Sequence, residues 1–263
     1  MKIKIYYMTG TGNTRRAAEL FQLQLNSMGY ECEIVNWVHH DFASWIDADA
    51  FGFAFPVHTY REPTPFRKKL KKLPKLKNTE KPIFIINCCD GAIGNSFYRV
   101  GKILKKKGAI IIGTYTYYAH SNVLMWESNM SGSDVRHSKN RDHRMLHFAK
   151  ALPELIKKKE PVKIDHYLGT GIIGRMVGDW HLRVAMIKGK IQVDKDKCTQ
   201  CGICADACMA QCITLDPYPK VNMKECVVCL GCLNLCPTDA LNAKNTVSKK
   251  RYRGPSKLKI SPM

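Results

Sequence analysis

Two cysteine ladders near the C-terminal end constrain this chain more than any other feature: Cys198-x2-Cys201-x2-Cys204-x3-Cys208 and Cys226-x2-Cys229-x2-Cys232-x3-Cys236-Pro237. Three thiolates placed three residues apart on one loop can wrap three iron corners of a [4Fe–4S] cube, and a more distant cysteine reaches the fourth. In a two-cluster arrangement that fourth ligand comes from the other ladder. The spacing therefore predicts Cys198, Cys201, Cys204 and Cys236 around one cluster, and Cys226, Cys229, Cys232 and Cys208 around a second. A zinc ion needs fewer thiolates than such a loop crowds together. A disulfide framework belongs to secreted chains, whereas this N-terminus reads as a strand, without an apolar signal region or a small-residue cleavage site. The first ladder departs from the second in one respect: Met209 follows Cys208 where Pro237 follows Cys236, and Cys212 lies shortly beyond. The missing proline is expected to loosen the turn without removing a ligand. Cys212 reads as a small buried side chain, with an alternative cluster ligand as the other option.

Nine of the twelve cysteines fall after residue 190, which leaves the preceding stretch of this 263-residue chain for a globular domain of ordinary size. The many thiols predict a reducing cytoplasm, in an anaerobe or an oxygen-poor setting. No apolar run is long enough to span a bilayer. The formal net charge is +20, concentrated in runs such as 67–72, 105–107, 157–159 and 249–251. Two oxidised cubanes would remove only about four of these charges. Such a field favours a negatively charged encounter partner, so an acidic redox protein is expected. Nucleic acid fits poorly, because the basic runs lack interleaved stacking aromatics.

Residues 2–8 alternate in β-branched and aromatic side chains, then break into the loop Thr9-Gly10-Thr11-Gly12-Asn13-Thr14. From Thr14 the period changes to a helical one, with Ala17, Ala18, Leu20, Phe21 and Leu25 on one face and closure near Gly29. Strands follow at about 31–36, 49–55, 82–88 and 109–117, and helices near 64–73, 95–107 and 142–158. Strand alternating with helix predicts an α/β domain, a doubly wound parallel five-stranded sheet covered on both faces. Residues 119–141 read as a long polar loop. His120 and His137, with His143 and His147 beyond, lack ligand spacing and read as surface residues. The domain boundaries expected are 1–160, a connector over 161–190, a small α+β two-cluster domain over 191–243, and a basic extension over 244–263. The connector carries Ile173, Met176, Trp180, Val184 and Ile187 at helical steps, with basic residues between. It is expected to dock its apolar stripe on a domain. Peripheral contact with a membrane surface is the other reading. The extension is either loosely held or a strap onto the first domain.

The loop from Thr9 to Thr14 offers short hydrogen-bonding side chains at Thr9, Thr11, Asn13 and Thr14, and close backbone approach at Gly10 and Gly12. At a helix N-terminus this makes a cradle for a terminal phosphate. A dinucleotide fingerprint would need a third glycine where Arg15 stands, and an acidic residue at the end of the second strand, where Asn36 stands. A P-loop would need Gly-Lys-Ser/Thr. A monophosphate ester fits best.

These residues resemble the FMN phosphate loop of flavodoxins, and their order before two ladders resembles the fused flavodoxin–ferredoxin proteins known as EFR-type ferredoxins. The resemblance runs to the closing Arg251-Tyr252-Arg253-Gly254-Pro255. It implies a flavodoxin-like fold followed by a two-cluster ferredoxin domain, with FMN and two [4Fe–4S] clusters as cofactors. It also implies that Thr9, Gly10, Thr11, Gly12, Asn13 and Thr14 bind the FMN phosphate. The loop Pro56-Val57-His58-Thr59-Tyr60 and the loop Cys88-Cys89-Asp90-Gly91-Ala92-Ile93-Gly94-Asn95 would flank the isoalloxazine, with Tyr60 stacking on it. Cys88 and Cys89 read as buried small residues rather than a redox dithiol.

The function expected is electron relay between FMN and the clusters, and onward to an external redox partner. Two further readings stand beside it. One is an FMN-dependent reductase of a quinone or nitro compound, fed by the clusters, with His58 and Asp90 as proton donors and the 119–141 loop over the substrate. The other is a redox sensor that binds an acidic partner.

Overall fold

The computed structural model describes residues 1–76, 81–120, 140–166, 176, 180, 190–243 and 251–255. The expected 119–141 loop, apart from its edges, and most of the expected connector lie outside these residues. The first domain alternates β1 (Lys2–Tyr7), α1 (Asn13–Ser27), β2 (Glu31–Asn36), β3 (Ala50–Pro56), α2 (Thr64–Lys72), β4 (Pro82–Cys89), α3 (Ser96–Lys105), β5 (Ile110–Tyr118) and α4 (Arg141–Lys158). Its five strands pair in the order β2-β1-β3-β4-β5, all parallel, with Ile5 opposite both Ile34 and Gly52. That is the flavodoxin-like arrangement, whose order reverses at β1 and β3.

Alternation along each strand builds two cores. Ile3, Ile5 and Tyr7 of β1 pack with Ala17, Phe21 and Leu25 of α1 and with Leu146 and Leu152 of α4. Tyr6 and Met8 face the other way, onto Phe51, Phe53 and Phe55 of β3, Phe66 of α2 and Leu104 of α3. β3 reads Ala-Phe-Gly-Phe-Ala-Phe because its two faces have different room. Its phenylalanines fill the α2/α3 side, while Gly52 makes space for Phe84, whose ring would lie 2.5 Å from a Cβ there. Phe84 stacks on Phe21 with centroids 5.3 Å apart. The half-buried carboxylate of Asp142 joins α4 to α1 and β5, accepting from Arg16 Nη2 at 2.5 Å and from Tyr117 O–H at 2.6 Å. Burial pushes this carboxyl up, but those two hydrogen bonds and the charges of Arg16 and Arg141 outweigh it and hold it below the usual range.

The second domain is small. β6 (Ile191–Val193) pairs antiparallel with β9 (Leu241–Ala243), and β7 (Ile213–Asp216) pairs with β8 (Tyr218–Val221). Short helices α5 (Ile203–Asp206) and α6 (Gly231–Leu235) lie within the ladders. Its core is built partly from the ladder cysteines themselves: Cys204, Cys232 and Cys236 cluster with Leu230, Leu233, Ala240 and Leu241. Met176 and Trp180 of the connector are helical and 68% and 61% exposed. No helix among the described residues is long and apolar enough to cross a membrane.

Candidate functional site

The two ladders repeat a backbone conformation as well as a spacing. Gln200, Gly202 and Gln211 in the first, and Val228, Leu230 and Asp239 in the second, all take positive φ at matching offsets from Cys198 and Cys226. These left-handed residues turn the chain sharply at the same places in each ladder. The amide donors repeat as well. Cys212 N donates to Cys208 Sγ at 3.4 Å, and Ala240 N to Cys236 Sγ at 3.2 Å. Cys212 therefore stands where the second ladder has Ala240, a place for a small buried side chain. Its own sulfur lies 3.5 Å from that of Cys208.

The ladders cross. Cys198, Cys201, Cys204 and Cys236 line one cavity, walled by Ile203, Leu215, Pro219, Pro237 and Leu241. On the other side, Cys208 lies within electrostatic range of Cys226, Cys229 and Cys232. Among the described residues no three His, Cys, Asp or Glu side chains form a group able to hold a single metal ion. Burial pushes the Cys229 thiol up to about 12. Burial acts on Cys236 too, but the Thr238 hydroxyl and the amides of Ala240, Thr238 and Leu241 outweigh it and hold the thiol below its ordinary value. Hydrogen bonds of this kind tune a cluster's potential.

In the first domain, the loop between β1 and α1 sits at the carboxyl end of the sheet. Gly12 (φ +98°) turns the chain into α1, and its amide donates to Thr9 Oγ1 at 3.0 Å. Thr11, Asn13 and Thr14 are buried. Thr14 Oγ1 is buried without a well-formed hydrogen bond among the described residues, and the weakly polar Cys88 thiol lies beside it. His58 Nδ1 and Asn87 Oδ1 are likewise buried and unmet. These three atoms belong to the three segments at the edge where such folds bind ligands. An unmet buried polar group is costly unless something else supplies its partner. The hydroxyls and glycines present fit a phosphate, and the open polar atoms fit a polar ligand.

The 56–60 and 88–95 loops meet at Gly94, where a Cβ would lie 2.4 Å from the Tyr60 carbonyl. Thr59 and Tyr60 both have positive φ, and Tyr60 is 43% exposed. His58 forms a two-residue bridge with Arg61, and Glu62 accepts from Arg99 Nε at 2.9 Å, pinning the loop to α3. Burial lowers the His58 imidazole to about 4. Cys88 is buried and Cys89 partly so, as expected, with Cys89 Sγ donating to Gly91 O at 3.2 Å.

Several residues at this edge were not predicted from sequence. Met209, the residue in the proline position, is 2% exposed and joins the core cluster of the first domain. Its Cε would lie 3.2 Å from a Cβ on Gly10, and Cys229 Sγ 3.6 Å from the same point. A Cβ on Gly231 would lie 2.8 Å from Gly10 O. The second ladder thus rests directly on the 9–14 loop, and Met209, expected only to loosen a turn, also has a packing role. His120, expected at the surface, accepts from Asn13 Nδ2 at 3.1 Å through its carbonyl, and its ring lies 5.8 Å from that of Tyr252. His143 and His147 are exposed as expected, and His137 lies outside the described residues.

A family model for the 4Fe–4S binding domain, Fer4, matches residues 191–214, which hold the first ladder. A ferredoxin of Methanothermococcus thermolithotrophicus is 34% identical over 58 residues, 20% of this chain and 97% of that protein. NADH-quinone oxidoreductase subunit I 2 of Symbiobacterium thermophilum is 31% identical over 77 residues, 25% of this chain. The chain spans only 32% of that relative's length. A flavodoxin from the domain Archaea is 13% identical with a TM-score of 0.44, covering 60% of this chain and 99% of its own. The fold assignment stands on the strand order.

Proposed function

We propose a function from this premise: the chain belongs to the 4Fe–4S ferredoxin family, through a C-terminal module fused behind a flavodoxin-like domain. It is an electron-transfer protein. The finer reading is a relay in which FMN sits on the first domain, one cluster is held by Cys226, Cys229, Cys232 and Cys208, and a second by Cys198, Cys201, Cys204 and Cys236. FMN when bound exchanges two electrons and passes them singly, while each cubane carries one. Thr9 to Thr14 would hold the phosphate, and the 56–60 and 88–95 loops the ring.

The observation that carries the reading is the contact of Cys229 and Gly231 with Gly10. It sets one cluster's ligand loop against the loop assigned to the flavin phosphate, so no diffusional step separates the two carriers. The other cavity opens outward: Cys201 is exposed, and Ile203 and Leu215 on its rim are 41% and 45% exposed. That is the port for an external redox partner, and the +20 charge favours an acidic one. A small-molecule reductase finds less support, since an imidazole held down to about 4 has no proton to give as an imidazolium at neutral pH.

Anaerobic reductive titration tests the relay. Reductant supplied to the clusters should bleach the flavin band in the same chain; a flavin that stays oxidised beside fully reduced clusters would rule the relay out.

A further inference from the structure

Residues 251–255 bond to both halves of the molecule. Toward the ladders, Arg251 Nη2 donates to Asn242 Oδ1 at 2.8 Å, and Tyr252 N donates to Asn234 Oδ1 at 2.8 Å. Arg253 Nη1 donates to the Asn234 carbonyl at 2.9 Å and to the carbonyl of Cys236, while its Nη2 reaches Asp239 Oδ1 at 2.9 Å. Asn234 lies in α6 between two ladder cysteines, and Cys236 is itself one of the thiols of the outer cavity. Toward the first domain, the Tyr252 hydroxyl donates to Asn13 Oδ1 at 2.5 Å. Gly254 takes φ +91° to press against the loop, where a Cβ would lie 2.6 Å from Thr11 O. Pro255 Cδ would lie 3.2 Å from a Cβ on Gly12.

We propose that this strap backs the phosphate loop as a wall of its site, and that Tyr252 is a positioning residue acting through Asn13. The inference rests on the FMN reading above. Asn13 has both ends of its amide occupied, Nδ2 by His120 O and Oδ1 by Tyr252. Its side chain, and the start of α1 behind it, are therefore fixed before any ligand arrives. A site ordered in advance loses less freedom on binding and binds more tightly. The far end of the strap is anchored on backbone that only the folded ladders present. Retention of the flavin phosphate is thereby coupled to the integrity of the cluster module. Such coupling is reciprocal, so flavin binding protects the module by the same factor.

The test uses the full chain with its clusters reconstituted anaerobically. Dissociation constants for FMN and for riboflavin, which lacks the phosphate, are read by quenching of flavin fluorescence in wild type, Tyr252→Phe and Gly254→Ala. Iron and sulfide content and the cluster electron paramagnetic resonance signal verify equal loading. Tyr252→Phe loses one well-placed hydrogen bond, and Gly254→Ala forces a methyl group against Thr11 O; each should weaken FMN about tenfold while riboflavin shifts less than about twofold. Equal FMN affinity in wild type and variants at equal cluster content overturns the strap's role. Equal weakening of FMN and riboflavin overturns it too, because the effect would then not act through the phosphate loop. If wild type takes up neither flavin, the FMN reading itself falls and the strap's assignment with it, an outcome distinct from the other two.

Discussion

Met209 shows at the scale of one residue how the two domains become a single device. A proline there would fit the ladder, but an unbranched, adaptable side chain is what reaches Gly10 and joins the core cluster that holds Met8 and Trp37. Met209→Ala should cost about 2–4 kcal/mol of coupling between domains, seen as a second transition in urea unfolding where wild type shows one. His58 sets a pH dependence. Its folded value is depressed to about 4 from the ordinary 6.5, so the stability it contributes is fully present above 6.5 and is lost as pH falls toward 4. The loss should amount to about 2 kcal/mol, allowing for a partly exposed ring, and His58→Gln should flatten that limb of the stability curve. Neither role was legible in the sequence. A methionine after a cysteine has no local period that betrays a partner two hundred residues away, and the burial of an imidazole nitrogen depends on how two loops meet.

At the scale of elements the sequence is far more informative. Strand and helix limits follow from the switch between period two and period 3.6, and β3 and β4, buried on both faces, still read as strands through their aromatic and β-branched runs. The sequence predicts a crossed grouping of cysteines because ligand spacing is dictated by the cube rather than by the surrounding fold. Cys236→Ser should therefore disturb the cluster of Cys198, Cys201 and Cys204 and leave that of Cys226, Cys229 and Cys232 in place. Iron content and the paramagnetic signals of the two clusters check this. The left-handed turns of the ladders were not legible where the residue is not glycine. Val228 is the case in point: a β-branched residue at φ +51° is strained, and Val228→Gly should stabilise the cluster-free module by about 1 kcal/mol in thermal unfolding. The strap was foreseen only as one of two options, because Arg-Tyr-Arg-Gly-Pro has no periodicity and its partners come from both domains.

For the molecule as a whole, the loop proposed to hold the phosphate, the second ladder (the inner one) and the outer cavity lie in series. The inner ladder rests on Gly10, the outer cavity shares Cys236 with the anchor of the strap, and Cys201 faces solvent. Lys68–Glu225 at 3.4 Å and His39 Nε2 against the Asp206 carbonyl at 3.1 Å add polar contacts between the domains. The charge of +20 acts at longer range, and the rate of exchange with an acidic carrier should fall steeply between low and physiological salt as screening shortens its reach to about 8 Å. The central claim is that electrons cross between flavin and clusters within one chain. Flash photoreduction of the fully loaded protein, followed at the flavin and cluster bands over a range of protein concentrations, tests it most directly. The account predicts a first-order transfer whose rate is independent of concentration; a rate that rises in proportion to concentration, or no transfer between the bands, would contradict it.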